Sequence, residues 1–338
     1  NYYMRFPNLY TIRGTSYRDS KSWYKSVDAM RSYQPQYLIS CHGPFLSGKE
    51  DIEQRLSIYR DAIQFIHDYA VRGANAGKTP DELVEEFEYP AFFLENYDLQ
   101  EKYGKVSWSI RNVYNGYLGF FDGRAVNLEP LSDKIRAQYI YELIGSKDRL
   151  IEEINKANDL AKYQWAAELS DIGLFNFPND KEIKKLYSLS LENLSLAEKN
   201  PIARNYYLSE AYELSEKISP SLKYTVSAEQ VKNIPLGTFF EAMGPRLDPV
   251  KARNKFIRVG FNITDSDEKF GVVIRNQVAE ISNFYKNDYD VIVSVDSKTW
   301  KGIILRTESA AGAIASGKLK IDGESLMFLQ FSSLFVND

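Results

Sequence analysis

The chain has 338 residues, 44% of them hydrophobic and 26% charged, and a net charge of −4. That length fits two or three domains better than one core. The mildly acidic balance leaves no basic footprint for nucleic acid, and no apolar run approaches the roughly 18 residues of a membrane span. A single cysteine excludes an internal disulfide and leaves the compartment open. The chain begins NYYMRFPNLY, with no initiator Met and no signal-peptide pattern, so a fragment, a processed chain or a piece cut at domain boundaries is expected.

Leu9 to Gly14 (LYTIRG) reads as a short strand closed by a glycine turn. The next segment has amphipathic spacing, with Trp23, Val27 and Met30 on one side of a helix. A second strand, YLIS, then runs to Cys41 and His42. Ser47 and Glu50 fit a capping box. Beyond them Ile52, Leu56, Tyr59, Ile63, Ile66 and Ala70 recur at spacings of three and four along one long helix. Thr79-Pro80-Asp81-Glu82 is a further helix start. The stretch SWSIRNVYNGYLGFFDG predicts a helix ending between Gly119 and Gly123.

From Ser132 to Lys217 the pattern is helical hairpins of tetratricopeptide-like texture, without a clean period, punctuated by Pro178 and Pro201. The texture changes near residue 220. After one more helix (SAEQVKNIPLGTFFEAMG), Ile257, Val259, Phe261 and Ile263 alternate with Arg258, Gly260 and Asn262, which predicts a strand with one buried face. A hairpin, the strand YDVIVSVD, a short helix near Trp300, the strand KLKID and an apolar terminal helix complete an α+β region.

Enzyme motifs are scarce. There is no phosphate loop, dinucleotide fingerprint, Gly-x-Ser-x-Gly elbow or Cys-x-x-Cys. Two histidines cannot build a His-rich metal site unaided. Taken alone, His42 reads as a buried, hydrogen-bonded histidine. Cys41, its strand neighbour, points to the other face and reads as a small buried hydrophobe. His67, beside the apolar stripe, reads as structural or exposed. Asn193-Leu194-Ser195 and Asn262-Ile263-Thr264 fit the glycosylation triplet, which is common by chance.

Several stretches, in order, resemble the alkyl sulfatase branch of the metallo-β-lactamase superfamily: NLYTIRGTSYRDSKSWYKSVD, the strand ending at His42, YGKVSWSIRNVYNGYLGFFDGRAVNLEP, AKYQWAAELSD and ARNYYLSEAYELSEK. The resemblance implies an α+β multidomain chain in three parts. Residues 1–48 form the last strip, a short α/β remnant, of a metallo-β-lactamase domain. Residues 49–220 form an all-α dimerisation domain. Residues 221–338 form a sterol-carrier-like α+β sandwich. It implies hydrolysis of alkyl sulfate esters, such as dodecyl sulfate, by a dinuclear zinc site whose His-x-His-x-Asp-His loop and acidic ligands are missing here. His42 is then a zinc ligand, the only one present, and this chain alone should be inactive. Gly43 and Pro44 depart from the family pattern beside it.

The same resemblance makes Arg13, Tyr114 and Tyr117 sulfate-binding residues, and an apolar groove of Phe261, Ile263, Trp300, Met327 and Phe331 a place for an alkyl tail. Read from the residues, Arg13 is equally a surface ion-pair partner, the tyrosines packing residues and the groove a closed core. The expected partners are a second copy of the chain, the missing zinc domain, and an amphiphilic alkyl sulfate or lipid. A periplasmic or secreted location is expected over a cytoplasmic one. The alternative is a non-catalytic helical scaffold carrying a lipid- or sterol-binding module.

Overall fold

The computed structural model describes residues 2–219, 233–283, 288–305 and 307–335, and the chain divides into two compact units, Asn1–Ser221 and Leu222–Asp338. The first is helical and the second is a sheet with helices, so the chain is mixed α+β.

In the first unit, helix α1 (Ser20–Ser32) and helix α2 (Lys49–Asn75) pack together, with α5 (Val106–Leu118) laid against α2. The stripe from Ile52 to Ala70 is fully buried, as its spacing predicts. Val27 is buried on the facing side of α1, with Trp23 and Met30 partly buried beside it. The short helix α3 (Pro80–Glu85) carries the expected capping box, Thr79 and Glu82 bonding reciprocally, and α4 (Ala91–Glu95) follows it. Helix α2 differs from expectation. Ser47 pairs with Tyr37 in a two-residue antiparallel ladder, β1 (Tyr37–Leu38) with β2 (Leu46–Ser47), so Gly48 (φ +106°) takes the cap position without a side-chain bond.

Leu9 to Gly14 is also not a strand. Its carbonyl groups find other partners instead of a ladder: Asn112 Nδ2 donates to the Leu9 carbonyl at 3.1 Å and the Gly14 amide to the Thr11 carbonyl, while Arg18 takes the preceding Asn8 carbonyl at 2.7 Å. The segment is pinned under α5 by buried Phe6 and Leu9.

Helices α6 (Asp133–Ile144), α7 (Lys147–Asp159), α8 (Tyr163–Asn176), α9 (Lys181–Ala197) and α10 (Pro201–Leu214) form the hairpins. Pro201 opens α10 and Pro178 lies in the turn before α9. The small residues of α8 permit close approach: Ala166, Ser170 and Gly173 are buried, and a Cβ on Gly173 would lie 3.1 Å from Ile183. This core, built on Leu150, Ile154, Leu169 and Ile183, is separate from that of α2. Asn200 links the two regions. Asn200, fully buried, caps α10 by accepting from the Ile202 and Ala203 amides, and its Nδ2 donates to the carbonyls of Glu101, Tyr103 and Gly104. The Lys105–Glu198 ion pair, 2.6 Å, lies alongside. Gly104 is sandwiched on its other side, where a Cβ would meet the Pro7 carbonyl oxygen at 2.1 Å.

The second unit holds a five-stranded sheet in the order β5-β4-β3-β6-β7. Strand β3 (Ile257–Ile263) pairs antiparallel with β4 (Lys269–Arg275) and parallel with β6 (Val291–Val295). Strands β5 (Val278–Ser282) and β7 (Leu319–Gly323) form the edges. Ile257, Val259, Phe261 and Ile263 are buried, as alternation predicts. β5 is not foreseen by the sequence reading; it follows a two-residue turn at Asn276-Gln277, both with positive φ. The helices Leu236–Glu241, Ser297–Ile304 and Ser325–Ser333 contribute Phe240, Trp300, Phe328 and Phe331 to the core. Of the helix expected over SAEQVKNIPLGTFFEAMG, the portion through residue 232 lies outside the described residues. Arg258 grips Asp290 through its backbone amide, Nε and Nη2 at 3.0, 3.2 and 2.6 Å, fixing β3 against the entry to β6.

Replacing Asn200 by Ala should cost about 2–3 kcal/mol, from the lost cap and the unpaired carbonyl groups left behind. Urea unfolding followed by tryptophan emission is expected to show an earlier midpoint for the helical unit.

Acid should weaken both units. The Lys147 ammonium beside Asp180, and the Arg258 guanidinium beside Asp290, hold these carboxyls below their usual range. The folded state therefore binds fewer protons than the unfolded one. The stabilisation is complete above roughly pH 4, where unfolded carboxyls titrate, and is lost as pH falls through the lower folded values. Thermal midpoints should hold from pH 7 to 5 and drop below 4; a midpoint that rises on acidification would contradict the assignment.

Candidate functional site

His42 lies in the loop between β1 and β2, four residues beyond the end of β1, and not on a strand end. It is exposed, and its ring meets that of Tyr3 edge-on at 5.9 Å. Cys41 is exposed too, correcting the expectation of a buried hydrophobe. The reason is local: the loop leaves the ladder after two residues, so the alternation that would bury one neighbour never applies. Tyr37, Ile39 and Phe45 are 66%, 84% and 65% exposed around it, an apolar surface out of keeping with an isolated loop. Among the described residues, no group of three or more His, Cys, Asp or Glu gathers to hold a metal.

Arg13 is exposed in the turn closed by the Gly14 amide on the Thr11 carbonyl. Tyr114 and Tyr117 share α5 but differ in setting. Tyr114 is buried, its hydroxyl 3.5 Å from the Asp122 carbonyl, and burial raises its pKa. Tyr117 is 52% exposed and its hydroxyl lies 2.8 Å from Nε2 of His67. His67 is buried, with Nδ1 2.7 Å from Asp68 Oδ1. Tyr17 stands on the same ground: a Cβ on Gly116 would strike its ring at 2.1 Å, and burial, with help from Asp19 and Tyr117, pushes its hydroxyl up to about 12.

The sequence reading missed this Asp68–His67–Tyr117 chain. His67 lies four residues after Ile63 and three before Ala70, which marks it as a stripe position. Nothing in the sequence tied it to Tyr117, 50 residues on.

In the second unit Phe261, Trp300 and Phe331 are fully buried and Ile263 nearly so, with Met327 partly buried against them. Phe261 and Trp300 are 4.5 Å apart between ring centres. These side chains fill the space between sheet and helices, so an alkyl tail entering there would have to part them.

Residues 79–217 match the family described as alkyl sulfatase dimerisation, and residues 224–337 match alkyl sulfatase C-terminal. A linear primary-alkylsulfatase from Pseudomonas sp. (strain ATCC 19151) is 33% identical over 97% of this chain and 64% of its own. An alkyl/aryl-sulfatase from Saccharomyces cerevisiae is 26% identical over 97% of this chain and 51% of its own. Among solved structures, the stereoselective inverting sec-alkylsulfatase Pisa1 from Pseudomonas sp. superposes with a TM-score of 0.93 at 27% identity, over 99% of this chain and 54% of that one. The chain thus spans about half to two-thirds of the length of these relatives.

The helical unit and the sheet unit are matched in order along nearly the whole chain by the dimerisation and C-terminal regions of one family. The chain belongs to the alkyl sulfatase family and contains its dimerisation and C-terminal regions.

Cys41 should react with one equivalent of a thiol reagent per native chain, at a rate denaturant does not raise. Labelling only after unfolding would contradict the exposed loop.

Proposed function

We propose that this chain forms part of an enzyme that hydrolyses sulfate esters of alkyl chains, completed by a metallo-β-lactamase-type domain that holds two zinc ions. The observation that carries this is the surface around His42. A solvent-facing imidazole, flanked along the chain by exposed Tyr37, Ile39 and Phe45, fits a docking face that brings one ligand to a shared metal site. It does not fit a self-contained site, which needs three or four protein ligands. When bound, the zinc pair supplies an activated water and offsets charge on the sulfate. The residues of this chain orient the ester. Arg13 offers a planar fork of donors to the sulfate oxygens, and Tyr117 offers its hydroxyl. Tyr114 is turned inward and serves packing.

The helical unit brings two copies together. From the end of α5 through α6, Leu118, Phe120, Val126, Leu128 and Leu143 are all more than half exposed, and Phe120 reaches 86%. An apolar run of this kind on a water-facing surface marks an interface. The sterol-carrier-like second unit gathers the amphiphilic substrate, its aromatic core opening to an alkyl tail worth about 0.8 kcal/mol per buried CH₂. The proposed location is periplasmic or secreted.

The chain alone should scatter light as a dimer at micromolar concentration, hold well under one zinc, and release no sulfate from dodecyl sulfate. Fused behind the upstream segment of the Pseudomonas linear primary-alkylsulfatase, it should bind about two ions and release sulfate. In that fusion Arg13→Ala should lower the rate by about a hundredfold. Stoichiometric zinc or sulfate release by the chain alone would overturn the shared site. An inactive, zinc-loaded fusion would favour the non-catalytic scaffold.

A further inference from the structure

We infer that His67 is a positioning residue that sets which way the Tyr117 hydroxyl points, so that anion capture at Tyr117 is coupled to proton uptake by His67. This rests on Tyr117 being an anion donor, as proposed above.

The geometry is a three-member chain. Asp68 Oδ1 lies 2.7 Å from His67 Nδ1, and His67 Nε2 lies 2.8 Å from the Tyr117 hydroxyl. The imidazole is 7% exposed and sits edge-on to two rings, Tyr24 at 5.9 Å and Tyr117 at 5.7 Å. Burial works against the charge on Asp68, but hydrogen bonds from His67 and Gln64 outweigh it and keep the carboxyl ionised. An ionised carboxylate only accepts, so Nδ1 carries a proton. In the neutral ring Nε2 is then an acceptor. Tyr117 must spend its O–H inward on it, showing only lone pairs to an arriving sulfate. When Nε2 takes up a proton it donates to the phenol oxygen, and the Tyr117 O–H swings outward as a donor. Both ring nitrogens stay paired in both states, so neither strands a buried polar group. A histidine serving packing alone has no need of this link, whose outer end is half exposed.

The charged and titratable groups around the ring come from every packed element. Asp68 lies on α2 itself. Asp19 caps α1, and the Ser22 hydroxyl holds it low with a small contribution from His67. Tyr24 lies on α1 with the Arg60 guanidinium 5.2 Å from its ring centre, and Tyr117 lies on α5 with Tyr17 beside it.

The chain has two histidines, so ring ¹⁵N spectra of the full protein are simple, and His67→Gln assigns them. Neutral His67 should appear as the Nδ1–H tautomer. Asp68→Asn, at a half-exposed position, should mix the tautomers. Methyl sulfate should raise the His67 titration midpoint by about half a pH unit, a threefold gain in proton affinity, and Tyr117→Phe should abolish that rise. An Nε2–H tautomer in the native chain overturns the positioning role outright. Methyl sulfate that moves the Arg13 Nε–H signal while leaving the His67 midpoint fixed overturns the coupling and leaves the anion site standing. Methyl sulfate that moves neither Arg13 nor Tyr117 removes the anion site and the coupling together, and the tautomer then decides the positioning role.

Discussion

The helical unit depends on one buried amide. Asn200 uses its oxygen to start α10 and its nitrogen to collect three carbonyls from the loop ahead of α5. That loop has the N-terminal segment on its other side, through the Phe6 amide on the Gln100 carbonyl and the Gly104 amide on the Phe6 carbonyl. Three distant pieces of chain are thus hydrogen-bonded in a row. No apolar contact could do this, since the loop backbone would be left with unpaired acceptors in a dry place. The row links the N-terminal segment and the loop before α5 to the start of α10.

The same fixation reaches the candidate site. The segment carrying Arg13 and Tyr17 leaves the buried Phe6–Leu9 anchor and passes beneath α5, the helix that carries Tyr117. Tyr2 is held likewise: its hydroxyl donates to Asp98, which is also paired with Arg55 at 2.6 Å. Arg13 and Tyr17 thus sit in a run of chain without regular structure, while their neighbours are pinned by buried aromatics and a buried carboxylate. That is a rigid mounting for Arg13, which is proposed to hold the sulfate.

Much of this was legible in the sequence. The stripe on α2, the Thr79 capping box and the alternation in β3 obey local rules, and local rules govern them in the fold. Elements near the candidate site were misread where tertiary contacts override propensity. LYTIRG has the composition of a strand, but the Asn112 side chain takes the Leu9 carbonyl and a turn takes the Thr11 carbonyl. Ser47 has the composition of a cap, but it is spent on a ladder. Cys41 looked buried because alternation was assumed past the point where the strand stops. His67 shows the deeper limit: its burial follows from spacing, whereas its bond to Tyr117 depends on how α2 and α5 cross.

The parallel pairing of β3 with β6 has a consequence for how the chain acquires its shape. Strands β3 and β4 meet across a five-residue turn, and β4 and β5 across two, so those ladders close quickly. The neighbour of β3 on its other side arrives only after both hairpins have been made, with Asp290 ready to clasp Arg258. In the helical unit, by contrast, the helices from α6 to α10 pack on partners one or two places away in sequence. Closure entropy must be met before a long-range strand pair returns anything, which makes the β3–β6 seam the slow, late event. During synthesis the helical unit would therefore be assembled while the sheet is still incomplete, with one hydrogen-bonding edge of β3 open until β6 emerges.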